Sequence, residues 1–296
     1  MSEDRILPVA NDNAADDLVM PFALESSALR GRVVRLGPVL QDILSRHKYE
    51  EPVSEVLAQS MTAALLFSAM IKYNGIFTLQ LQGDGPVDLV VSDVTSNGEL
   101  RGYAKMVRPI PEGDTDVGML LGKGYIAFTV DQGGEQDRYQ GIVPLEGPDF
   151  AAICRGYFTQ SEQIQTSFRF AAQIIDGQWR AGGIMLQKLP DEGLSPLQIK
   201  NAEEDWNRAD ILLQSVKDIE LVDPLLGVEP LLMRLFHEEG VRIFEPQEIT
   251  RGCRCNEEKL ERVLSTLSEQ DRVDAAEDGK ITMTCEFCSK DWVFTA

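Results

Sequence analysis

Four of the five cysteines in this 296-residue chain fall in its last 44 residues, as Cys253-x-Cys255 and Cys285-x-x-Cys288, with 29 residues between the pairs. A tetrahedral ion such as Zn²⁺ takes four soft donors about 2.3 Å from the metal, commonly delivered as two close pairs on turns. C-x-x-C on a turn between strands is a standard half-site, while C-x-C puts both thiols on one tight bend. The two histidines, His47 and His237, lie outside the cluster, so the expected centre is all-thiolate and holds one Zn²⁺ per chain. In a reducing compartment such a cluster points to metal or redox chemistry before structural disulfides. Spacing alone leaves the purpose of the ion open. It could staple a small module that lacks a core of its own, or it could hold thiolates ready for an oxidant.

Charge and hydropathy then remove whole classes of function. Lys and Arg number 28 against 48 Asp and Glu, a net charge of −20. A surface that acidic repels phosphate backbones, so no nucleic-acid partner is expected. The longest apolar run, 56–71, is 16 residues long and interrupted by Gln59, Ser60, Thr62 and Ser68, short of the roughly 20 a membrane span needs. The acidic N-terminus resembles no signal peptide, so a cytoplasmic protein without a membrane partner is expected.

The chain divides into four segments. Residues 1–17 are polar, acidic and aperiodic, and read as a disordered tail. Residues 18–190 mix helix and strand signals. A buried helix is expected over 52–73, followed by a hairpin in which Phe77, Leu79 and Leu81 alternate with polar residues and GDGP turns the chain back. Alternation recurs at Ile126, Phe128 and Val130, at Phe168 and Phe170, and over 179–186, where Gly182-Gly183 marks a bulge or a close approach. Strands in succession favour an α+β fold over a doubly wound sheet. Residues 191–247 read as a helical linker; the 55 residues 191–245 carry 13 acids and 5 bases. Two readings stay open for it, an ordinary acidic helical subdomain and a marginally stable linker in which like charges oppose compaction. Residues 248–296 form a small module, with Asn256 capping a helix that aligns Leu260, Val263, Leu264 and Leu267.

Catalytic signatures fail on inspection. The run from Gly118 to Gly124 has one spacer too few for a P-loop and a glycine where the hydroxyl residue belongs. Gly122-x-Gly124-x-x-Ala127 is followed by a strand pattern, which argues against a dinucleotide site. Nothing convergent surrounds Cys154, which reads as a core residue. No enzyme activity is expected.

The cysteine pattern and its neighbours resemble the heat shock protein 33 family of redox-regulated bacterial holdases. The resemblance is carried by GRVVRL at 31–36, FTLQLQGDGP at 77–86, GKGYIAFTVD at 122–131, RYQGIVPLEG at 138–147, GYFTQSEQ at 156–163, AGGIMLQKLP at 181–190, RLFHEEGVRIFE at 234–245 and CRC…CEFC. It implies an N-terminal α+β chaperone domain, a redox-sensitive helical linker and a C-terminal Cys₄ zinc domain. It further implies disulfides Cys253–Cys255 and Cys285–Cys288 on oxidation, linker unfolding, a homodimer, and ATP-independent binding of unfolding client proteins. Gln165 stands where the family usually has proline. Two other classes compete, a constitutive structural zinc protein acting as an interaction module, and a thiol-disulfide oxidoreductase, which would want a thioredoxin-like βαβ context.

Overall fold

The computed structural model describes residues 16–110, 116–133, 139–190 and 195–295. In chain order these form β1 (Leu18–Leu24), β2 (Leu29–Leu36), α1 (Pro38–Leu44), α2 (Glu51–Ser68), β3 (Ile76–Gly83), β4 (Val87–Thr95) and β5 (Glu99–Met106). There follow α3 (Val117–Leu121), β6 (Gly124–Asp131), β7 (Tyr139–Pro144), α4 (Phe150–Tyr157), β8 (Thr166–Ile175) and β9 (Gln178–Lys188). Three helices come next, α5 (Pro196–Gln214), α6 (Asp218–Val222) and α7 (Val228–Phe236), then the short strands β10 (Val241–Ile243), β11 (Gln247–Glu248) and β12 (Thr250–Arg251). The chain ends with α8 (Glu257–Ser265), α9 (Glu269–Ala275) and the hairpin β13 (Lys280–Thr284) and β14 (Asp291–Thr295). The α+β class expected from the sequence is the fold observed.

Two six-stranded sheets carry the structure. The first runs β10-β1-β2-β9-β8, with β11 also on β1; the second runs β12-β5-β4-β3-β6-β7. Between them lies α2. It begins with Pro52 in the first turn, where a missing N–H costs nothing, and buries residues around its whole circumference because a sheet packs on either side. Its apolar pattern runs on through Met70 and Ile71, which is why periodicity extends the expected helix to 73. The chain in fact leaves the helix after Ser68, and the Tyr73 hydroxyl donates to the Val94 carbonyl across the loop.

The first sheet is apolar on both faces. One face joins α2 and the second sheet in the main core, through Val34, Leu36, Phe168, Phe170 and Met185. The other, with Phe22, Leu24, Leu29, Val33, Ile184 and Leu186, is covered by Trp206 and Leu213 of α5, Leu221 of α6, and Leu231, Leu232, Leu235 and Phe236 of α7. Polar pins border this layer. The buried Arg35 donates from Nη1 to the Leu226 carbonyl at 2.9 Å and from Nη2 to the Asp223 carbonyl, in the loop between α6 and α7. Arg208 of α5 pairs with the buried Glu239 at 2.5 Å, and Glu239 also accepts from Ser26. After α7 the expected helical linker turns to strand: β10 and β11 pair with β1, whose outer edge would otherwise expose unpaired N–H and C=O groups.

Residues 1–15 of the expected tail lie outside the described residues. Asp16 pairs with Arg35 at 3.7 Å and with Arg180, and Asp17 accepts from the backbone N–H groups of Gly37 and Val39 at the start of α1. Ordered structure therefore begins no later than Asp16, because a buried guanidinium needs its counter-charge.

Gly182 and Gly183 lie in unbroken register on both neighbours, so they mark close approaches and no bulge. A Cβ on Gly183 would sit 2.8 Å from Thr62 Cγ2 of α2, and one on Gly182 would sit 2.2 Å from the Leu221 carbonyl of α6. The pair of glycines thus admits a helix to each face of the sheet. Gly182→Ala should push α6 outward at a cost of about 1–3 kcal/mol. The expected outcome is a lower thermal midpoint and faster amide exchange at Leu221 and Val222. Gly156→Ala meets only the end of Gln160, at 4.0 Å, and should change neither.

Candidate metal centre

The C-terminal module has little interior. Leu264, Ile281 and Cys288 are its buried residues beyond Ile249, and Val263 of the helix face expected to pack is 51 % exposed. Asn256 caps α8 as expected, its side chain accepting from the Lys259 N–H at 2.9 Å. α9 has no counterpart in the sequence reading, since it buries no residue and so shows no apolar period. Asp278 and Gly279 have φ of 49° and 73° and make a tight left-handed turn before β13.

The four cysteines come together. Cys285 and Cys288 occupy the turn joining β13 to β14, which is closed by the Cys285 N–H to the Lys290 carbonyl at 3.0 Å and the Ser289 N–H to the Cys285 carbonyl at 2.8 Å. Cys253 and Cys255 lie on the segment between β12 and α8. The sulfur separations are 3.3 Å for Cys253–Cys255, 3.7 Å for Cys253–Cys285 and 3.6 Å for Cys255–Cys288. All four sulfurs lie within 4.8 Å of one another. A tetrahedral ion with metal–sulfur bonds of about 2.3 Å sets sulfur edges of about 3.8 Å, whereas a disulfide needs about 2.05 Å. The cysteines are free, and the cluster fits one metal ion.

Cys253, Cys255 and Cys288 do not ionise alike. Burial opposes ionisation of Cys253, but the Cys255 backbone N–H and the neighbouring thiols outweigh it and bring its pKa down to about 7. Burial raises Cys255 to about 12, and the Cys253 thiol beside it acts in the same direction. Cys288 is raised as well, again chiefly by burial. Cys253 and Cys255 therefore titrate as a pair, in which a thiolate at Cys253 opposes one at Cys255. Cys154 is far from this chemistry, fully enclosed in α4, and burial pushes its thiol well up.

The module is seated on the second sheet. β12 runs parallel to β5, and the Gly252 N–H donates to the Leu100 carbonyl at 2.9 Å. Arg254, inside C-x-C, pairs with Asp93 at 2.5 Å, as does Arg101 at 2.6 Å. The Arg101 guanidinium lies 3.7 Å from the centre of the Phe287 ring, inside C-x-x-C. His47 meets Ser289 at 3.5 Å and stacks on Tyr49. The sequence reading missed these seating residues. Arg254 and Phe287 had a signal, as the residues enclosed by the cysteine pairs; Asp93 and Arg101 had only the faint one of charge within a strand.

The motifs set aside in the sequence are structural. Gly122 has φ of 68° and closes against Asp84, whose carboxylate accepts from the Lys123 N–H at 2.7 Å, so a side-chain anion fills that turn. At Gln165 the carbonyl accepts from the Lys188 N–H at 3.0 Å. No helix among the described residues is long and apolar enough to cross a membrane.

Comparison with known proteins agrees with this architecture. The family model described as Hsp33 protein matches residues 17–295. A 33 kDa chaperonin of Caulobacter vibrioides (strain NA1000 / CB15N) is 39% identical over 287 residues, 93% of each chain. One from Escherichia coli (strain K12 / DH10B) is 36% identical over 282 residues, 95% of this chain and 92% of the relative. The crystal structure of the 33 kDa chaperonin from Thermotoga maritima superposes with a TM-score of 0.80 at 24% identity, covering 94% of this chain and 95% of that one, a likeness of fold. The chain belongs to the Hsp33 family, whose relatives named here are chaperonins.

Proposed function

We propose that this protein is a redox-regulated holdase that is inactive when reduced and zinc-bound, and that on oxidation binds unfolding proteins without ATP. The observation that carries the reading is a continuity of chain. A cysteine cluster at metal-binding distances stands on a module with hardly any core, and β12, β11 and β10 connect it directly to helices that hide an apolar sheet face. Residues 18–190 act as the chaperone domain, 191–247 as the linker and 248–296 as the switch. The setting is a cytoplasm in which thiols are ordinarily reduced.

Zinc held by Cys253, Cys255, Cys285 and Cys288 would keep all four sulfurs as thiolates and cross-link a module that apolar burial alone does not support. Oxidation joins Cys253 to Cys255 and Cys285 to Cys288. For each pair, two thiolates give two electrons to one hydrogen peroxide, which takes two protons from solvent, forming one disulfide and two waters. The short loops close at far lower entropic cost than the loop of 29 residues, and Cys154 stays reduced in the core. With its sulfurs withdrawn the module loses its cross-link, and the acidic helices lose the neighbour that holds their C-terminal end. Undocking bares Leu213, Leu231, Leu232, Leu235 and Phe236 together with the sheet residues beneath them. Apolar surface flanked by acidic side chains suits capture of unfolding chains in a soluble complex. Dimerisation of the oxidised chain follows the family resemblance. The activity is binding, with no catalytic turnover.

The test is aggregation of a heat-unfolded client at equal molar ratio. Protein oxidised with peroxide should suppress it and reduced protein should not, with activity lost again on reduction by dithiothreitol. Equal suppression by both forms would instead establish a constitutive interaction module.

Freshly reduced protein should hold one zinc per chain, and the Cys285→Ser, Cys288→Ser double variant should hold none. Near neutral pH the free thiols of Cys255 and Cys288 are protonated, so metal binding displaces at least their two protons. Affinity should therefore fall at least about 100-fold per pH unit on acidification, and more steeply below pH 7, where Cys253 also carries its proton. Competition titration with a chelator between pH 6 and 8 measures the slope, and a flat profile contradicts thiolate ligation.

A further inference from the structure

The second sheet meets both cysteine pairs at one carboxylate. Asp93 lies in β4, opposite Thr78 of β3 and Arg101 of β5, with its side chain only 5 % exposed. One oxygen accepts from the Thr78 hydroxyl at 2.6 Å. The other takes Nε and Nη2 of Arg101, at 2.8 and 2.6 Å, and Nη2 of Arg254 at 2.5 Å. Arg254 is the one residue enclosed by C-x-C. Arg101 is stacked on Phe287 of the C-x-x-C turn, and Tyr103 meets the same ring edge-on at 4.7 Å.

Two guanidinium groups thus share a single counter-ion at a half-buried seam. Each repels the other, and Asp93 offsets most of the repulsion, with Glu99 a weaker second carboxylate beside Arg254; Arg254 is less basic than usual because of burial first and Arg101 second. A change in sulfur geometry reaches this point directly. Drawing Cys253 and Cys255 from 3.3 Å to a bond of about 2.05 Å turns the residue between them, whose far end is fixed on Asp93.

We propose that Asp93 is the positioning residue that seats the cysteine module on the second sheet, and that its paired arginines set how far the sulfurs can rearrange before the module lifts away. The proposal rests on the redox reading above and adds the place where the sulfurs' rearrangement is felt by the rest of the chain.

Three full-length variants test it, Asp93→Asn, Arg254→Gln and the two combined. Seating is read from amide exchange at Thr250 and Gly252, which donate to the Gly98 and Leu100 carbonyls across the seam. The switching point is read from the peroxide concentration that releases half the zinc to a chromogenic chelator. Asp93→Asn leaves two arginines facing each other, so Gly252 should exchange about tenfold faster and half-release should need severalfold less peroxide. Arg254→Gln removes the repulsion along with the tether, so its effect should be smaller. The double variant should resemble Arg254→Gln more than Asp93→Asn, a non-additivity that loss of an ordinary packing residue does not produce. Wild-type exchange in both single variants, or a double variant worse than Asp93→Asn, overturns the proposal. Should Asp93→Asn fail to fold, Arg254→Gln decides alone, and exchange at Gly252 equal to wild type overturns it. A wild-type protein without zinc refutes the redox reading, and seam exchange still decides the role of Asp93.

Discussion

The fold depends on a sheet with two apolar faces. A face sealed by α2 is secure, because the second sheet closes over the helix and the contacts are largely apolar, with the buried hydroxyls of Ser60 and Ser92 paired to each other. The opposite face is sealed by α5, α6 and α7, which come from a stretch with 13 acids against 5 bases over the 55 residues 191–245. Apolar burial is non-directional and cooperative, so this helical layer stays docked as a unit or leaves as one. Polar pins tie it to the sheet, among them Arg35 on the loop between α6 and α7, Arg208 with Glu239, Arg169 with Asp218 at 2.6 Å, and Ser167 with Asp210 and Gln214 of α5. Arg35 is the most demanding of these. Its guanidinium is buried, and if the loop withdrew it would keep only Asp16 as a partner.

What joins this layer to the cysteines is a run of edge strands. β10 and β11 extend the first sheet, and one residue later β12 lies on the second. The chain thus crosses between the sheets just before Cys253. The cysteine module inherits its place from that crossing, from Asp93, and from the pairing of Arg251 with Asp42. Because the module buries so little of its own, its four sulfurs and its seat are what define its shape.

The sequence made some of this plain and hid the rest for physical reasons. Spacing alone singled out the four cysteines whose sulfurs folding brings within 4.8 Å of one another. Strand alternation gave the hairpin of β3 and β4, and the doubled glycine at 182–183 marked a bulge or a close approach, of which the structure shows the second, with helices arriving from both sides. The end of α2 was illegible because Met70 and Ile71 continue the apolar pattern after the backbone has left the helix. α9 was illegible because it buries no residue and so shows no apolar period. Strands β10 and β11 were hidden because their stability comes from the edge of β1 and not from their own composition. The seat of the cysteine module was hidden most completely. Asp93 and Arg254 are 161 positions apart, and only folding makes one the counter-ion of the other.

The central claim is that the state of the sulfurs controls the cover on the first sheet. Amide exchange across residues 195–245, measured on the same sample before and after peroxide and alongside client aggregation, tests it most directly. The account predicts that protection in α5, α6 and α7 collapses on oxidation while α2 and its flanking strands β3 and β4 keep theirs, and that aggregation is suppressed to the same extent that protection is lost. Helices that remain as protected after oxidation as before, in protein that nevertheless suppresses aggregation, would contradict it.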